Sequence, residues 1–517
     1  MQFSKNRILR ALALPTAILA FASAAHADYS GDPGLPASFQ ATGFDDVQAK
    51  VVAGPDGGHY VSCLTGAGYD VAVMRVDRNG RPMWKSVWVI AEDRALSSTV
   101  DYGLASDALG NAYVAYEGRT AAGVPSSEVT AISPAGTILW NAVVDQSATA
   151  SIGPAHVTVA SDGFVWAAHL QDATTRVQRL DPATGAQSFA APVVISETGQ
   201  NQWLADIQPS INGAVIVSTV RQAGFTSAKL LRAHRINVDG TRPWVAAGVP
   251  VFTTSSLQFG NFPYFISDGQ GGAYFTWYTT GPLQSWVQRI DQNGTPLYGT
   301  NGVAVTSTST FERTDPSMTL GTDGRLYVFW TQHQANTFNY GIYGQCFAKG
   351  VRQWGNDGAA VEAMATVAYS RSFARAMRLG DNVACSYNDS TSAVQDFLRC
   401  ASLNPSGTIL SRKDIATNTG NKSRYAMADA VMNGSVVFWQ GALSTGASDL
   451  WGARVNSDGT IGVPPPVYGD LDGDGLVNAR DIAVLLSQWG GPGSADLIAD
   501  GIVGPQDLAA LLTAWTG

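Results

Sequence analysis

The stretch DGTRPW, Asp239 to Trp244, is a glycine turn with an aromatic side chain four residues after the glycine, and the chain repeats it. The pattern recurs as NGRPMW (Gly80, Trp84), AGTILW (Gly136, Trp140), TGAQSF (Gly185, Phe189), NGTPLY (Gly294, Tyr298) and KGVRQW (Gly350, Trp354). Two weaker copies follow, SGTILS at Gly407 and DGTIGV at Gly459, so that successive glycines stand 56, 49, 55, 54, 56, 57 and 52 residues apart. A fixed period of that size marks one supersecondary unit stacked many times over.

Working outward from the turn, each copy is preceded by a run of β-formers: HYVSC, AYVAY, FVWAA, AVIVS, AYFTW, LYVFW, NVACS and SVVFW. Between that run and the turn comes a second strand ending in a basic residue, an aliphatic one and Asp or Asn, as in MRVD, QRLD, HRIN, QRID and ARVN. Nothing in the repeat has helical period and length. Four short strands per unit predict an all-β fold, a β-propeller of eight four-stranded blades. Seven blades with an irregular flanking sheet is the alternative that the degenerate last copies leave open, with residues 28–45 able to complete a blade.

Arg75, Arg179, Arg235, Arg289 and Arg454 recur at one repeat position, and the tryptophans at another. A residue repeated in every unit calls for a repeated cause. The arginines are therefore predicted to hydrogen-bond within or between blades, and the indoles to bury their large apolar area there.

Residues 1–27 read as a signal peptide. Lys5 and Arg7 precede, and Arg10 falls near the start of, an apolar run from Ile8 to Ala24, and AHA at Ala25 to Ala27 fits a small-x-small cleavage site, which predicts a secreted or cell-surface protein cut after Ala27. The run is short for a membrane span, and no second one follows, so no transmembrane segment is expected. Without those three basic residues the formal charge falls from −9 to −12. A net acidic chain lacks the basic footprint that nucleic acid demands, and no nucleic-acid partner is expected. Four cysteines in an exported chain permit disulfides. Cys385 and Cys400 flank one predicted hairpin and are the candidate bridge, with two buried thiols as the alternative; Cys63 and Cys346 are expected to be buried thiols.

After a proline-rich linker, residues 463–468, the last 49 residues change character. In GDLDGDGLVNARD, Gly469 to Asp481, side-chain oxygens fall at loop positions one (Asp470), three (Asp472), five (Asp474), nine (Asn478) and twelve (Asp481), with Gly475 at six and the carbonyl of Leu476 at seven. These are the positions of a calcium loop. Carboxylates about 4 Å apart repel by roughly 4 kcal/mol per pair at an effective dielectric near 20, so the loop calls for a hard cation, Ca2+. A second copy offers Asp496, Asp500, the carbonyl of Ile502 and Asp507, but Ile498 occupies position three, which predicts a weaker site. After each loop an apolar face repeats at helical spacing: Ile482, Leu485, Leu486 and Trp489, then Leu508, Leu511, Leu512 and Trp515.

This duplicated loop-and-helix segment, without an entering helix, resembles the type I dockerin family over residues 469–517. The resemblance implies a calcium-dependent module that docks onto a cohesin-like or cell-surface protein, often in secreted polysaccharide-degrading systems. The family's recognition positions correspond to Ala479 and Arg480 and to Pro505 and Gln506. These lack the hydroxyl pair common in that family, so cell-surface attachment, sorting and binding to the propeller itself stand beside cohesin docking.

Residues 28–462 are then the β-propeller repeat domain. They show no HExxH, GxSxG, P-loop or Cys/His metal spacing, and their five histidines are scattered over several repeats, which predicts structural roles. In a ring of blades, the loops leading into the innermost strands gather at one mouth of the channel. Here these are NQWLAD, QFGNFPY, TFERTDP, AYSRSF and NKSRYAM. They bring Trp203, Phe259, Phe262, Phe311, Glu312, Arg313, Asp315, Tyr369, Arg371, Arg424 and Tyr425 as a candidate ligand-binding mouth for a polysaccharide or glycan. Two functions fit: a secreted, non-catalytic binding or scaffold propeller, or a carbohydrate-active enzyme, a glycoside hydrolase or lyase, with no catalytic residue assigned.

Overall fold

Eight antiparallel sheets follow one another along the chain in the computed structural model, which describes residues 28–41, 45–66, 68–92, 101–258, 260, 262–442 and 448–516. In blade 1 the strands run Val47–Ala53, His59–Thr65, Asp70–Val76 and Val89–Glu92, each paired with the next from the channel outward. Blades 2, 3, 4 and 7 repeat this order, and blades 5 and 6 each carry one further short strand. Blade 8 supplies only three strands of its own, Lys422–Ala430, Gly434–Ala442 and Ser448–Val455. Its fourth is Ala37–Phe39 from the N-terminal side, with Ser38 opposite Trp451. The ring is thus an eight-bladed propeller closed by residues from both ends, which leaves no long free sheet edge. The seven-blade alternative does not hold.

The repeated tryptophans lock neighbouring blades. Trp84 donates its indole N–H to the Pro134 carbonyl in the turn of the next blade at 2.8 Å; Trp140 does so to Pro182 at 3.0 Å, Trp244 to Gln292 at 3.1 Å and Trp354 to Pro405 at 3.0 Å. The turn glycine beneath the ring has no room for a side chain. A Cβ on Gly136, whose φ is +81°, would lie 2.8 Å from the Trp84 ring, so both the left-handed backbone and the close approach require glycine. Where the seventh copy reads SGTILS, Ser411 stands in the aromatic position and faces Gly459. At the seam, Tyr29 covers Gly80 and its N–H donates to the Asn79 carbonyl at 2.7 Å.

The recurrent arginines are structural as expected. Arg75 reaches Pro134 in the next blade at 2.8 Å and pairs with Asp56. Arg179 pairs with Asp162 and Arg289 with Asp268, each at 2.8 Å. Arg235 donates to the Gln292 carbonyl at 3.2 Å, and Arg454 to the Val431 carbonyl at 2.5 Å.

The Cys385–Cys400 bridge is not formed; all four cysteines are free and buried. Cys385 pairs across the sheet with Ala401 while Cys400 pairs with Ser386. An offset of one residue turns the two side chains to opposite faces of the strand pair, and they lie in different apolar clusters.

Beyond the ring come two short helices, α1 (Ala479–Ser487) and α2 (Pro505–Thr513), packed around Val477, Leu485, Ala495, Val503 and Leu511. The apolar faces are only partly used. Leu486, Trp489, Leu512 and Trp515 remain 40–54% exposed, and each helix stops two residues short of its tryptophan, at Ser487 and at Thr513. The signal segment, residues 1–27, lies outside the described residues, and no helix among the described residues is long and apolar enough to cross a membrane.

Candidate functional site

The innermost strands are bulged at one shared place. Pairing with the second strand slips between Val47 and Lys50, Ile152 and Ala155, Leu204 and Asp206, Thr314 and Ser317, Ser372 and Arg375, and Ser423 and Ala426. A bulge kinks the strand and re-aims its side chains. In four blades it puts a non-glycine residue in the left-handed region: Gln48 (φ 56°), Asp315 (54°), Phe373 (57°) and Arg424 (54°). Such conformations cost on the order of 1–3 kcal/mol each and cluster at functional sites. All four residues line one cavity of about 820 Å³ in the channel mouth.

Two residues beyond the bulge, the repeats place Lys50, His156, Asp206, Tyr264, Ser317 and Arg375 at equivalent positions, with Gly103 and Ala426 in the remaining blades. Several of these side chains meet around Asp101. Lys50 pairs with one of its oxygens at 2.8 Å, while His156 Nε2 and the Tyr264 hydroxyl reach the other at 3.1 and 3.2 Å. His156 Nδ1 faces Asp206 at 3.4 Å. The Lys50 ammonium also lies 5.2 and 5.7 Å from the ring centroids of Tyr102 and Tyr264, a cation–π geometry.

These neighbours set the charges. Burial opposes ionisation of Asp101, but Lys50 and His156 hold its carboxyl well below the usual range. Burial also works against a charged His156, yet Asp101 and Asp206 outweigh it and raise its pKa to about 8. Lys50 is raised as well, by Tyr264 and Asp101 against the cost of burial. The cluster is thus two cations on two carboxylates. With both ring nitrogens of His156 turned to carboxylates and Asp101 firmly ionised, neither is set up at neutral pH as a base or an acid, respectively.

Around this floor stand aromatic faces and further cations. Phe262, Tyr264, Trp277, Phe373 and Tyr425 line the cavity. Arg375 pairs with Asp315 at 3.1 Å. Arg424 is exposed and has no ion pair or hydrogen bond among the described residues. A smaller cavity of about 400 Å³ adjoins through Asp101, Gly260 and Phe262, and Trp203 and His156 line it.

The expected loops do form the mouth, but only part of the expected residues face it. Arg424, Tyr425, Phe262 and Asp315 line the main cavity, and Trp203 the side cavity. Phe259 lies outside the described residues. Phe311, Glu312, Arg313, Tyr369 and Arg371 are not among the lining residues. Glu312 pairs with His333 at 2.8 Å, and the buried Arg313 donates to Gln284 at 2.8 Å and to the Phe311 carbonyl at 2.9 Å. Arg371 pairs with Asp389 at 3.2 Å, and Tyr369 is exposed. His156 is buried with both ring nitrogens paired, as expected of a structural histidine, and that pairing makes it part of the charged floor; Lys50, Asp101, Asp206, Tyr264 and Arg375 went unremarked in the sequence.

The acidic tail folds as two loops, each with three carboxylates able to share an ion. One ligand atom each of Asp470, Asp472 and Asp481 lies within 4.8 Å of the others, and likewise of Asp496, Asp500 and Asp507. Burial and neighbouring carboxylates raise the pKa values of Asp472 and Asp474, the signature of crowded negative charge. Asp481 is fully buried and accepts from the backbone of Leu471 (2.7 Å), Asp472 (3.2 Å) and Asn478 (2.8 Å), while Asn478 caps α1. The donor set, all oxygen and crowded, fits a hard cation. Ile498 stands 39% exposed in the second loop, with no oxygen to offer there.

No family model matches the chain, and no curated protein matches it. Among solved structures, the propeller of Dos1 is similar at 11% identity, covering 80% of this chain and 94% of that one with a TM-score of 0.46. A polysaccharide lyase, an ulvan lyase, is similar at 12% identity over 81% and 96% of the two chains with a TM-score of 0.42. The α-L-arabinanase of Penicillium chrysogenum follows at 11% over 58% and 92%, with a TM-score of 0.35. Likeness at this level carries no argument about the site.

Proposed function

We propose that the protein is a secreted glycan-binding propeller whose channel mouth takes an acidic polysaccharide, joined to a calcium-dependent, dockerin-like docking module. Residues 28–462 form the propeller, 463–468 the linker and 469–517 the module. One observation carries the binding site: four strained bulges converge on a cavity walled by aromatic faces and by Lys50, Arg375 and Arg424. Aromatic rings stack on sugar faces, and an unpaired guanidinium recognises carboxylate or sulfate in bidentate fashion. The charged floor is already balanced, which suits holding a ligand more than moving a proton.

For the module, the exposed pairs Leu486 with Trp489 and Leu512 with Trp515 repeat at the C-terminal ends of the two helices. A duplicated apolar patch on so small a unit suits a protein partner, cohesin-like or at the cell surface.

The test is a glycan array with the mature protein, followed by assay of the hits for released reducing ends and for unsaturated products. Binding of uronate or sulfated glycans without release supports the reading; binding confined to neutral glycans, or to none, overturns it. Release would favour the second reading, a glycoside hydrolase or lyase, for which the Asp101–His156–Asp206 chain at the cavity floor is the reason to look.

A further inference from the structure

The first acidic loop is seated on the propeller. Arg78, in the outer turn of blade 1, pairs with Asp470 Oδ2 at 2.8 Å, with the two side chains only 10% and 1% exposed. A Cβ on Gly475 would lie 2.8 Å from Val431, and one on Gly57 would lie 2.4 Å from the Asp474 carbonyl. Gly57 belongs to a turn of blade 1 and Val431 to a turn of blade 8. The loop therefore spans the seam where the ring closes, the one junction that depends on residues from both ends of the chain.

We infer that this loop is a clasp across the ring-closure seam, held by Arg78, so that cation binding in the loop and closure of the propeller strengthen each other. The inference rests on the reading of the loop as a metal site. Asp470 is nearly inaccessible, and a buried carboxylate without a counter-charge is costly; Arg78 supplies that charge. It does so without exhausting the ligand: Oδ2 takes Arg78 and the Gly475 N–H, while Oδ1 takes only the Gly473 N–H at 2.8 Å. Arg78, and Arg480 at 3.9 Å from Asp474, against Asp470, Asp472, Asp474 and Asp481 leave two negative charges, which a divalent cation neutralises. Cation and arginine thus act on the same loop together. Seating orders the loop before the ion arrives, and the ion in turn favours the seated loop; the coupling is reciprocal.

The clasp also assigns the module two faces with different partners. The first loop binds the protein's own propeller, and Leu486, Trp489, Leu512 and Trp515 stay exposed for another.

Hydrogen exchange on the whole mature protein with and without Ca2+ tests this, with calorimetry on the same samples to show that the ion binds. Ca2+ is expected to slow exchange in the propeller turns 77–81 and 430–434 by about tenfold, as well as in the loop. At a Ca2+ concentration about a thousandfold above Kd, the unfolding midpoint of the propeller should rise by about 4 °C, and Arg78→Ala should remove more than half of that rise. Ca2+ binding that protects the loop alone would overturn the clasp while leaving the metal site standing. Absence of Ca2+ binding would overturn both. Should Arg78→Ala not fold, the wild-type exchange pattern decides by itself.

Discussion

Trp354 lies over Gly407 of the following blade, and its indole N–H donates to the Pro405 carbonyl of the same turn at 3.0 Å. The contact joins a packing requirement to a hydrogen-bond requirement at one boundary between blades. It recurs at Trp84, Trp140 and Trp244, and it explains why a turn glycine and an aromatic residue travel together through the sequence.

Trp354→Ala should therefore lower the unfolding free energy by about 3–5 kcal/mol, and Trp354→Phe, which keeps a ring but loses the N–H donor, by about 1–2 kcal/mol. Gly407→Ala should cost at least about 1 kcal/mol, since φ is +85° and the added carbon would lie 2.9 Å from the ring. Urea unfolding followed by fluorescence measures all three; a neutral Gly407→Ala would contradict the packing.

How far the sequence could be read follows from this contact. Structural demands are the same in every blade, so Gly136, Trp140 and Arg179 have counterparts repeat after repeat, and blade order and turn positions stand in plain view. The bulge position obeys the opposite rule. Lys50, His156, Asp206, Tyr264 and Arg375 occupy equivalent places yet are five different residue types, because a site built by a ring needs different groups from different blades. Periodicity selects what repeats and passes over what varies. The signal was the departure itself, a residue type that changes from blade to blade at one fixed position of the inner strand. Cys385 and Cys400 failed differently, since hairpin spacing gives proximity but not the one-residue register that separates their faces.

Four free thiols are expected in the folded protein. Denatured without reductant and alkylated, the chain should carry four adducts by intact mass. A product with two adducts would restore a bridge.

His156 gives a signed pH dependence. The histidine charges near 6.5 in the unfolded chain and near 8 in the folded one, so the folded state favours the proton. The resulting stabilisation, about 2 kcal/mol, is complete below pH 6.5 and is lost as pH rises through 8. Wild type should exceed His156→Gln in unfolding free energy by more at pH 6 than at pH 9. An equal gap at both values would show that Asp101 and Asp206 do not hold the proton.

Arg424→Gln should weaken binding of an acidic glycan at least about tenfold with no change in the unfolding midpoint, because the side chain is exposed and unpaired among the described residues. The remaining affinity should depend less on salt. An unchanged dissociation constant would move the ligand elsewhere on the ring.

The two acidic loops differ in ligand oxygens at positions three and nine. Both bring three carboxylates within 4.8 Å and both carry Asp at positions one, five and twelve, but the first adds Asp472 at position three and Asn478 at position nine, where the second has Ile498 and Gly504. A hard cation takes six to eight oxygens, so the second loop must fill its shell with water and should bind more weakly. Calorimetry of Ca2+ into the mature protein should show one tight and one weak site. Asp472→Ala should abolish the tight one. Ile498→Asp should strengthen the weak one at least about tenfold, since one added charged ligand is the difference by which such loops tune affinity. Asp496→Ala should leave the tight site unchanged. If Ile498→Asp has no effect, ligand number is not what separates the loops, and the seating of the first loop against Arg78 becomes the better account of its higher affinity.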